Sequence, residues 1–207
     1  MSALASAKPY SQVFDGQKHY RTLLQCMARP GTIGQLDDAL LEVPPSLNRA
    51  TALLALALFS ADSSFYLAQG EGAAMDFIRQ ETAARPVSAG QAEFLLFLDA
   101  RHLDELRQAR QGSLPYPDLG ATAVVQVEAI SPAPLPDCLR LTLTGPGIEV
   151  ETAVFVLGAP ELLFSALRER NAEFPMGVDA FLTCDSLSAG PCAMALPRTT
   201  RVQWERV

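Results

Sequence analysis

Five consecutive apolar residues, Phe94-Leu-Leu-Phe-Leu98, constrain this chain more than any other stretch. A strand that offers apolar side chains to both sides must be covered on both sides, as interior strands of α/β sheets are. The expectation is therefore an α/β fold: a mixed sheet with helices on both faces. Val178 to Cys184 reads as a second buried strand, apolar except for Asp179 and Thr183, with Pro175 and Gly177 fixing an irregular lead into it. Pro191 to Leu196 is a further apolar run. With 207 residues, 49% of them hydrophobic, the chain can build one domain over 1–207 with a sizeable core.

The helices are read from caps and 3.6-residue spacing. Asp15 is placed to cap a helix that carries Tyr20, Leu23, Leu24 and Met27 on one face and stops at Pro30-Gly31. Residues 1–14 before it read as a mobile arm. Thr32 to Leu36 is a short strand. Ser46 caps a second helix, apolar nearly all round from Leu47 to Leu58 and so covered on most sides. A strand at Phe65 to Ala68 leads to a helix from about Gly72 to Ala84, and Asp99 caps a helix around Leu103 and Leu106. Pro160 opens a last helix at its first position, with Leu163, Ala166, Leu167 and Arg170 on one face.

Between these last two helices the texture changes. Ala123, Val125, Val127 and Ala129 alternate with Gln126, Glu128 and their neighbours, and Leu139, Leu141 and Leu143 alternate with Arg140, Thr142 and Thr144. Thr144-Gly-Pro-Gly147 makes a turn, and Ile148 to Val154 alternates again. This predicts an antiparallel hairpin extension appended to the sheet, with an edge on which a second copy or a companion chain can dock.

Several function classes are excluded by composition. A net charge of −7 gives no electrostatic footprint for nucleic acid or an anionic membrane. The longest uncharged apolar stretch, Ala50 to Ala61, is too short to span a bilayer, and the first residues lack a signal-peptide pattern, so the expected location is cytoplasmic. Cys26, Cys138, Cys184 and Cys192 show no Cys-x-x-Cys spacing and read as buried thiols. His19 and His102 stand far apart, so no metal site is expected. No Gly-x-Ser-x-Gly elbow occurs.

The motifs that remain concern anions. Gln69-Gly-Glu-Gly-Ala-Ala-Met75 approaches a dinucleotide fingerprint, with Asp99 placed as a ribose-binding acid. Met75 stands where a small residue is needed, and Glu71 would face the pyrophosphate. A P-loop lysine is impossible, because Lys8 and Lys18 are the only lysines beside fourteen arginines. Leu196-Pro-Arg-Thr-Thr200 instead gathers a guanidinium fork and two hydroxyls, which suits phosphate or phosphonate oxygens, so Arg198, Thr199 and Thr200 are the candidate binding residues. Asp179, a carboxylate in an apolar strand, needs an arginine or backbone donors and is a candidate supporting residue. Arg21, Arg29 and Arg201 are the other cations in these end segments.

Phe174-Pro-Met-Gly-Val-Asp179 followed by Leu196-Pro-Arg-Thr-Thr200 resembles the C-terminal signature of the PhnH family, the H subunits of the carbon–phosphorus lyase system. His19-Tyr-Arg-Thr-Leu-Leu-Gln-Cys-Met-Ala-Arg-Pro-Gly31 resembles that family's opening helix, and Thr144-Gly-Pro-Gly-Ile148 its glycine-rich hairpin. Tyr20, Cys26 and Ala28 depart from the phenylalanine, alanine and serine usual there. The resemblance implies a fold like the large domain of pyridoxal-phosphate-dependent transferases. That cofactor needs a Schiff-base lysine, and none lies beyond Lys18, so no pyridoxal phosphate is expected. It further implies a subunit that acts with companions G, I and L, an alkylphosphonate displacing adenine from the co-substrate ATP to give a ribose 1-alkylphosphonate 5-triphosphate. Carbon–phosphorus bond cleavage would fall to the J subunit. The isolated chain is expected to be an inactive homodimer, and no catalytic residue is assigned. Two other readings stand beside this one: a free-standing nucleotide- or dinucleotide-binding enzyme using Gly70, Gly72 and Asp99, and a purely structural assembly subunit.

Overall fold

A computed structural model describes residues 10–36, 41–68, 72–100, 103–186 and 190–207. The elements run α1 (Phe14–Ala28), β1 (Gly34–Gln35), α2 (Arg49–Leu58), β2 (Ser64–Leu67), α3 (Gly72–Thr82), β3 (Arg85–Pro86), β4 (Phe94–Phe97), β5 (Thr122–Gln126), β6 (Ala129–Ser131), β7 (Leu139–Thr144), β8 (Thr152–Leu157), α4 (Glu161–Arg170), β9 (Asp179–Ser186), β10 (Gly190–Leu196) and β11 (Arg201–Arg206). A seven-stranded sheet has the order β1-β10-β9-β5-β4-β2-β3, and a four-stranded one the order β11-β7-β8-β6.

The larger sheet is mixed. Its middle strands β2, β4, β5 and β9 are parallel, while β10 returns antiparallel to β9 and β1 antiparallel to β10. Leu95, Leu96 and Phe97 are fully buried, which is the two-sided burial that the Phe94–Leu98 run demands. Alternate residues feed two cores. Phe65, Leu96, Val124, Phe181 and Ala195 face α1, α2 and α3, whereas Leu95, Val125, Ala180, Leu182 and Met194 face the four-stranded sheet and α4. The second face is thus closed by a sheet and one helix rather than by helices alone.

β5 departs from the sequence expectation. Ala123, Val124 and Val125 are buried on both faces between parallel neighbours β4 and β9, so this segment is an interior strand and not part of the antiparallel extension. The polar residues that suggested a solvated face mark its end. The extension itself is β7 and β8, paired antiparallel and flanked by β11 and β6. β8 starts at Thr152 rather than Ile148.

The caps differ as well. α1 starts at Phe14, and the Asp15 carboxylate accepts from the Ser11 amide at 2.6 Å, one turn back, instead of capping a later start. Tyr10, stacked on His19, shows that residues 10–14 are held, while 1–9 of the expected arm lie outside the described residues. The buried stripe of α1 is Gly16, His19, Leu23 and Cys26, leaving Tyr20 and Leu24 half-exposed. Close approach sets the C-terminal part of that stripe: a Cβ on Gly34 would sit 2.6 Å from the Cys26 sulfur, so β1 packs against the Cys26 side of the helix. The 3₁₀ turn Asp104–Gln108 is preceded by Leu103 and takes no side-chain cap from Asp99. Pro160 is the N-cap of α4 rather than its first residue.

At the carboxyl ends of β5 and β9, where open α/β sheets usually take anions, the first turn of α2 is filled by the chain's own side chains. Asn48, not Ser46, caps it by accepting from the Thr51 amide at 2.7 Å. Asp185 accepts from the amides of Arg49 and Ala50 at 2.8 and 2.9 Å. Gln126 takes the Asn48 amide at 2.7 Å and donates to the carbonyls of Ser46 and Leu98. Asp185→Ala is expected to cost about 1 kcal/mol by removing the anion at the helix N-terminus. Urea denaturation checks this, and Asp185→Asn should recover part of the loss.

All four cysteines are buried and free. Cys184 and Cys192 stand opposite each other across β9 and β10, with their sulfurs 3.2 Å apart. The hydrogen bond between them pulls the Cys184 thiol down and pushes the Cys192 thiol up. No helix among the described residues is long and apolar enough to cross a membrane.

Candidate functional site

The chain leaves β10 through Pro197 to Thr200, beside the amino ends of β5 and β9. Pairing of Ala180 with Leu196 leaves Asp179 and Arg198 adjacent at the open end of the hairpin. Asp179 Oδ1 accepts from the Arg198 amide at 2.7 Å, and both carboxylate oxygens accept from Nε at 3.2 Å. Nη2 donates to Oδ2 at 2.7 Å. The other guanidinium nitrogen, Nη1, donates to the carbonyls of Pro117 and Pro175 at 2.7 and 3.5 Å. Only 13% of the Arg198 side chain and 19% of the Asp179 side chain remain exposed, so this bidentate pair is substantially desolvated.

The surrounding glycines show how tightly loops close on that guanidinium. A Cβ on Gly120 would lie 2.4 Å from the Gly177 carbonyl oxygen and within 2.9 Å of both Arg198 Nη atoms. Gly177 donates its amide to the Gln111 carbonyl, and the Asn171 side chain brackets the backbone of Val178. One arginine therefore ties the 117–120 turn, the 171–177 loop and the start of β9 together.

A second junction adjoins it. Gly147, at φ +84°, points the place of its Cβ to within 2.2 Å of the Ala28 carbonyl oxygen, and Gly145, at φ +129°, lies against Thr199. The Thr144–Gly147 turn is wedged between the end of α1 and the Thr199–Thr200 corner. The four sequence landmarks, far apart along the chain, meet at one end of the molecule.

Beside them runs a groove of about 720 Å³, whose lining includes Phe164, Arg168, Phe174, Arg198, Thr199, Thr200 and Arg201. The fork of Arg198 is spent on Asp179 and two carbonyls, so the free positive charge comes from elsewhere. Neither Arg168 nor Arg201 has a carboxylate partner among the described residues. Arg168 lies 5.0 Å over the ring of Trp204, leaving its N–H groups at the groove, and Arg201 is exposed. The Thr200 hydroxyl is enclosed without a hydrogen-bond partner. Two cations, two hydroxyls and an apolar wall can hold an anionic group carrying an organic substituent.

Arg201 was visible in the sequence, but Arg168 was not, because only the packing of α4 on β11 brings it here. Arg21 and Arg29 are exposed and do not line the groove; the Arg29 amide closes the end of α1 on the Gln25 carbonyl. Gly72 and Asp99 lie at the carboxyl ends of the parallel strands, the opposite end from Arg198. Gly70 and His102 lie outside the described residues. No group of three or more His, Cys, Asp or Glu that could hold a metal ion occurs among the described residues.

Comparison with known proteins gives a family for this arrangement. A protein of Rhizobium meliloti (strain 1021), named alpha-D-ribose 1-methylphosphonate 5-triphosphate synthase subunit PhnH, is 32% identical over 197 residues, 93% of this chain and 92% of that protein. A Stutzerimonas stutzeri protein named for a C-P lyase subunit, HtxG, is 32% identical over 186 residues, 90% of this chain and 85% of its own length. The model of the bacterial phosphonate metabolism protein PhnH matches residues 9–203, which takes in every landmark at the two junctions. The chain belongs to the PhnH family of bacterial phosphonate metabolism proteins.

Proposed function

We propose that this chain is a cytoplasmic subunit of a carbon–phosphorus lyase system for alkylphosphonate use. It acts with companion subunits G, I and L in transferring alkylphosphonate to the ribose of ATP with release of adenine, and J completes the assembly. The isolated chain is an inactive homodimer, ATP is a co-substrate of the complex, and pyridoxal phosphate has no part. The observation that carries this reading is the near full-length similarity to a protein named as a subunit of ribose 1-methylphosphonate 5-triphosphate synthase.

Within that role the groove is the candidate phosphate or phosphonate contact. Thr199 and Thr200 supply hydroxyls, Arg168 and Arg201 the free charge, and Arg198, held by Asp179, positions the segment rather than touching the ligand. Arg21 on α1 and Arg29 at its C-cap lie outside the groove. The test is adenine release from ATP and methylphosphonate by the reconstituted subunits. Arg168→Ala and Arg201→Ala are each expected to lower kcat/KM by about tenfold, the worth of one charged hydrogen bond. Wild-type rates from the double variant would assign the chain a structural role, which the internal use of Arg198 favours as the second reading.

A further inference from the structure

Cys184 and Cys192 take no part in the groove or in the Arg198 junction. They face each other across β9 and β10, both buried, with their sulfurs 3.2 Å apart. A single buried thiol is ordinarily inert. Here each sulfur has a second sulfur as its neighbour. Directly opposed residues of an antiparallel pair have Cα atoms about 4.5 or 5.5 Å apart, inside the range of about 4.4–6.8 Å that a disulfide spans. The sulfurs need only draw together by about 1 Å to reach bonding distance. The register behind this contact is held from both sides, by β5 on β9 and by β1 on β10. Among the described residues the other two cysteines have no sulfur in contact. Cys26 lies on the opposite face of the larger sheet, where its thiol donates to the Ala193 carbonyl at 3.5 Å, and Cys138 immediately precedes β7.

We propose that Cys184 and Cys192 are a modification site, a dithiol that hydrogen peroxide converts to a cross-strand disulfide and that a dithiol reductant restores. The Cys192 thiol donates to the Cys184 sulfur and holds the Cys184 thiol below its ordinary value, so Cys184 is the attacking sulfur. Its thiolate displaces hydroxide from the peroxide O–O bond and becomes a sulfenic acid. The Cys192 sulfur then attacks the Cys184 sulfur, the S–S bond forms, and a second hydroxide leaves. The two thiol protons join the two hydroxides as water. Each sulfur gives up one electron, and the peroxide is reduced by two.

The surroundings select the oxidant. With both sulfurs enclosed, a bulky disulfide such as oxidised glutathione cannot align on either, and Asp185 beside Cys184 disfavours anions. Hydrogen peroxide is uncharged and nearly as small as water. Between the cysteines and the last described pair of the hairpin, Ser186 with Gly190, stands only the pair of Asp185 with Pro191. Pro191 brings no N–H to the ladder, so this end of the hairpin opens more readily than its middle and admits the peroxide.

Thiol chemistry on the full, reduced and folded chain tests this. After hydrogen peroxide, peptide mapping should show Cys184 joined to Cys192, with two of the four thiols lost and both recovered by dithiothreitol. The pair should react about tenfold or more faster than Cys26 and Cys138. The oxidised chain should melt roughly 5 °C higher, because the bond restricts the unfolded chain. Oxidised glutathione should leave all four thiols free. In Cys192→Ala the Cys184 sulfenic acid has no second sulfur to resolve it and should be trapped by dimedone, whereas Cys184→Ala should give no adduct. Should either variant fail to fold, the wild-type map alone decides. Four thiols surviving peroxide, oxidation of the pair to sulfinic acids without a link, or a disulfide that lowers the melting temperature would each overturn the proposal. Faster linkage by oxidised glutathione would overturn peroxide as the oxidant.

Discussion

Replacing Arg198 by alanine is expected to destabilise the protein by about 3 kcal/mol, the low end for breaking a buried ion pair because a little of each side chain is exposed. The loss is not one bond. Asp179 would be left in a strand end with the residue-198 amide as a donor, the Pro117 carbonyl would keep only the Gly120 amide, and the Pro175 carbonyl would lose its contact with Nη1. Arg198→Lys should cost nearly as much, about 2 kcal/mol, since an ammonium cannot bridge both carboxylate oxygens and reach Pro117 as well. With a urea slope of about 2 kcal/mol per molar, the alanine variant should shift the midpoint by roughly 1.5 M. A double-mutant cycle with Asp179→Asn should show a coupling above about 1 kcal/mol. A change under 0.5 kcal/mol (about a quarter-molar shift) in both Arg198 variants would mean that the pair is ornamental. This distinguishes Arg198 from Arg201, whose loss should touch assembly or turnover while leaving monomer stability nearly unchanged.

Gly147→Ala is expected to be comparably damaging. A residue with a Cβ at φ +84° costs about 1 kcal/mol or more from backbone strain alone. The added carbon would also meet the Ala28 carbonyl oxygen at 2.2 Å, a clash with backbone that no side-chain rotation relieves. Separating the turn from the end of α1 adds about another 2 kcal/mol of overpacking, so the sum is about 3 kcal/mol, or roughly 10 °C in Tm for a chain of this size. Gly72→Ala is the control: nothing lies within 4 Å, and the substitution opens a helix, so it should be neutral or slightly stabilising. A Gly147→Ala melting point within about 2 °C of wild type would deny that the α1 end and the hairpin turn are locked together.

Much of this arrangement was legible in the sequence where one physical demand has one solution. Phe94–Leu98 required cover on both sides and has it. Asp179 required an arginine or backbone donors and found both in Arg198, nineteen residues on, where the β9–β10 hairpin returns. What escaped depended on neighbours that no local pattern encodes. β5 looked half-solvated because it ends in Gln126 and Glu128 follows, yet Gln126 is spent bridging Asn48, Ser46 and Leu98. The buried face of α1 takes Cys26 rather than Leu24 because the β1 backbone at Gly34 closes on that side of the helix. Arg198 read as the phosphate fork of its segment, but the groove's free charge lies with Arg168 and Arg201.

Whether the chain works as a companion-dependent subunit is tested most directly by co-expressing it with G, I, L and J, purifying through a tag on this chain, and assaying adenine release. The expected result is a defined complex that releases adenine from ATP in the presence of methylphosphonate, together with no release by this chain alone. A tagged chain that retains none of its companions, or that turns over ATP and methylphosphonate unaided, would contradict it.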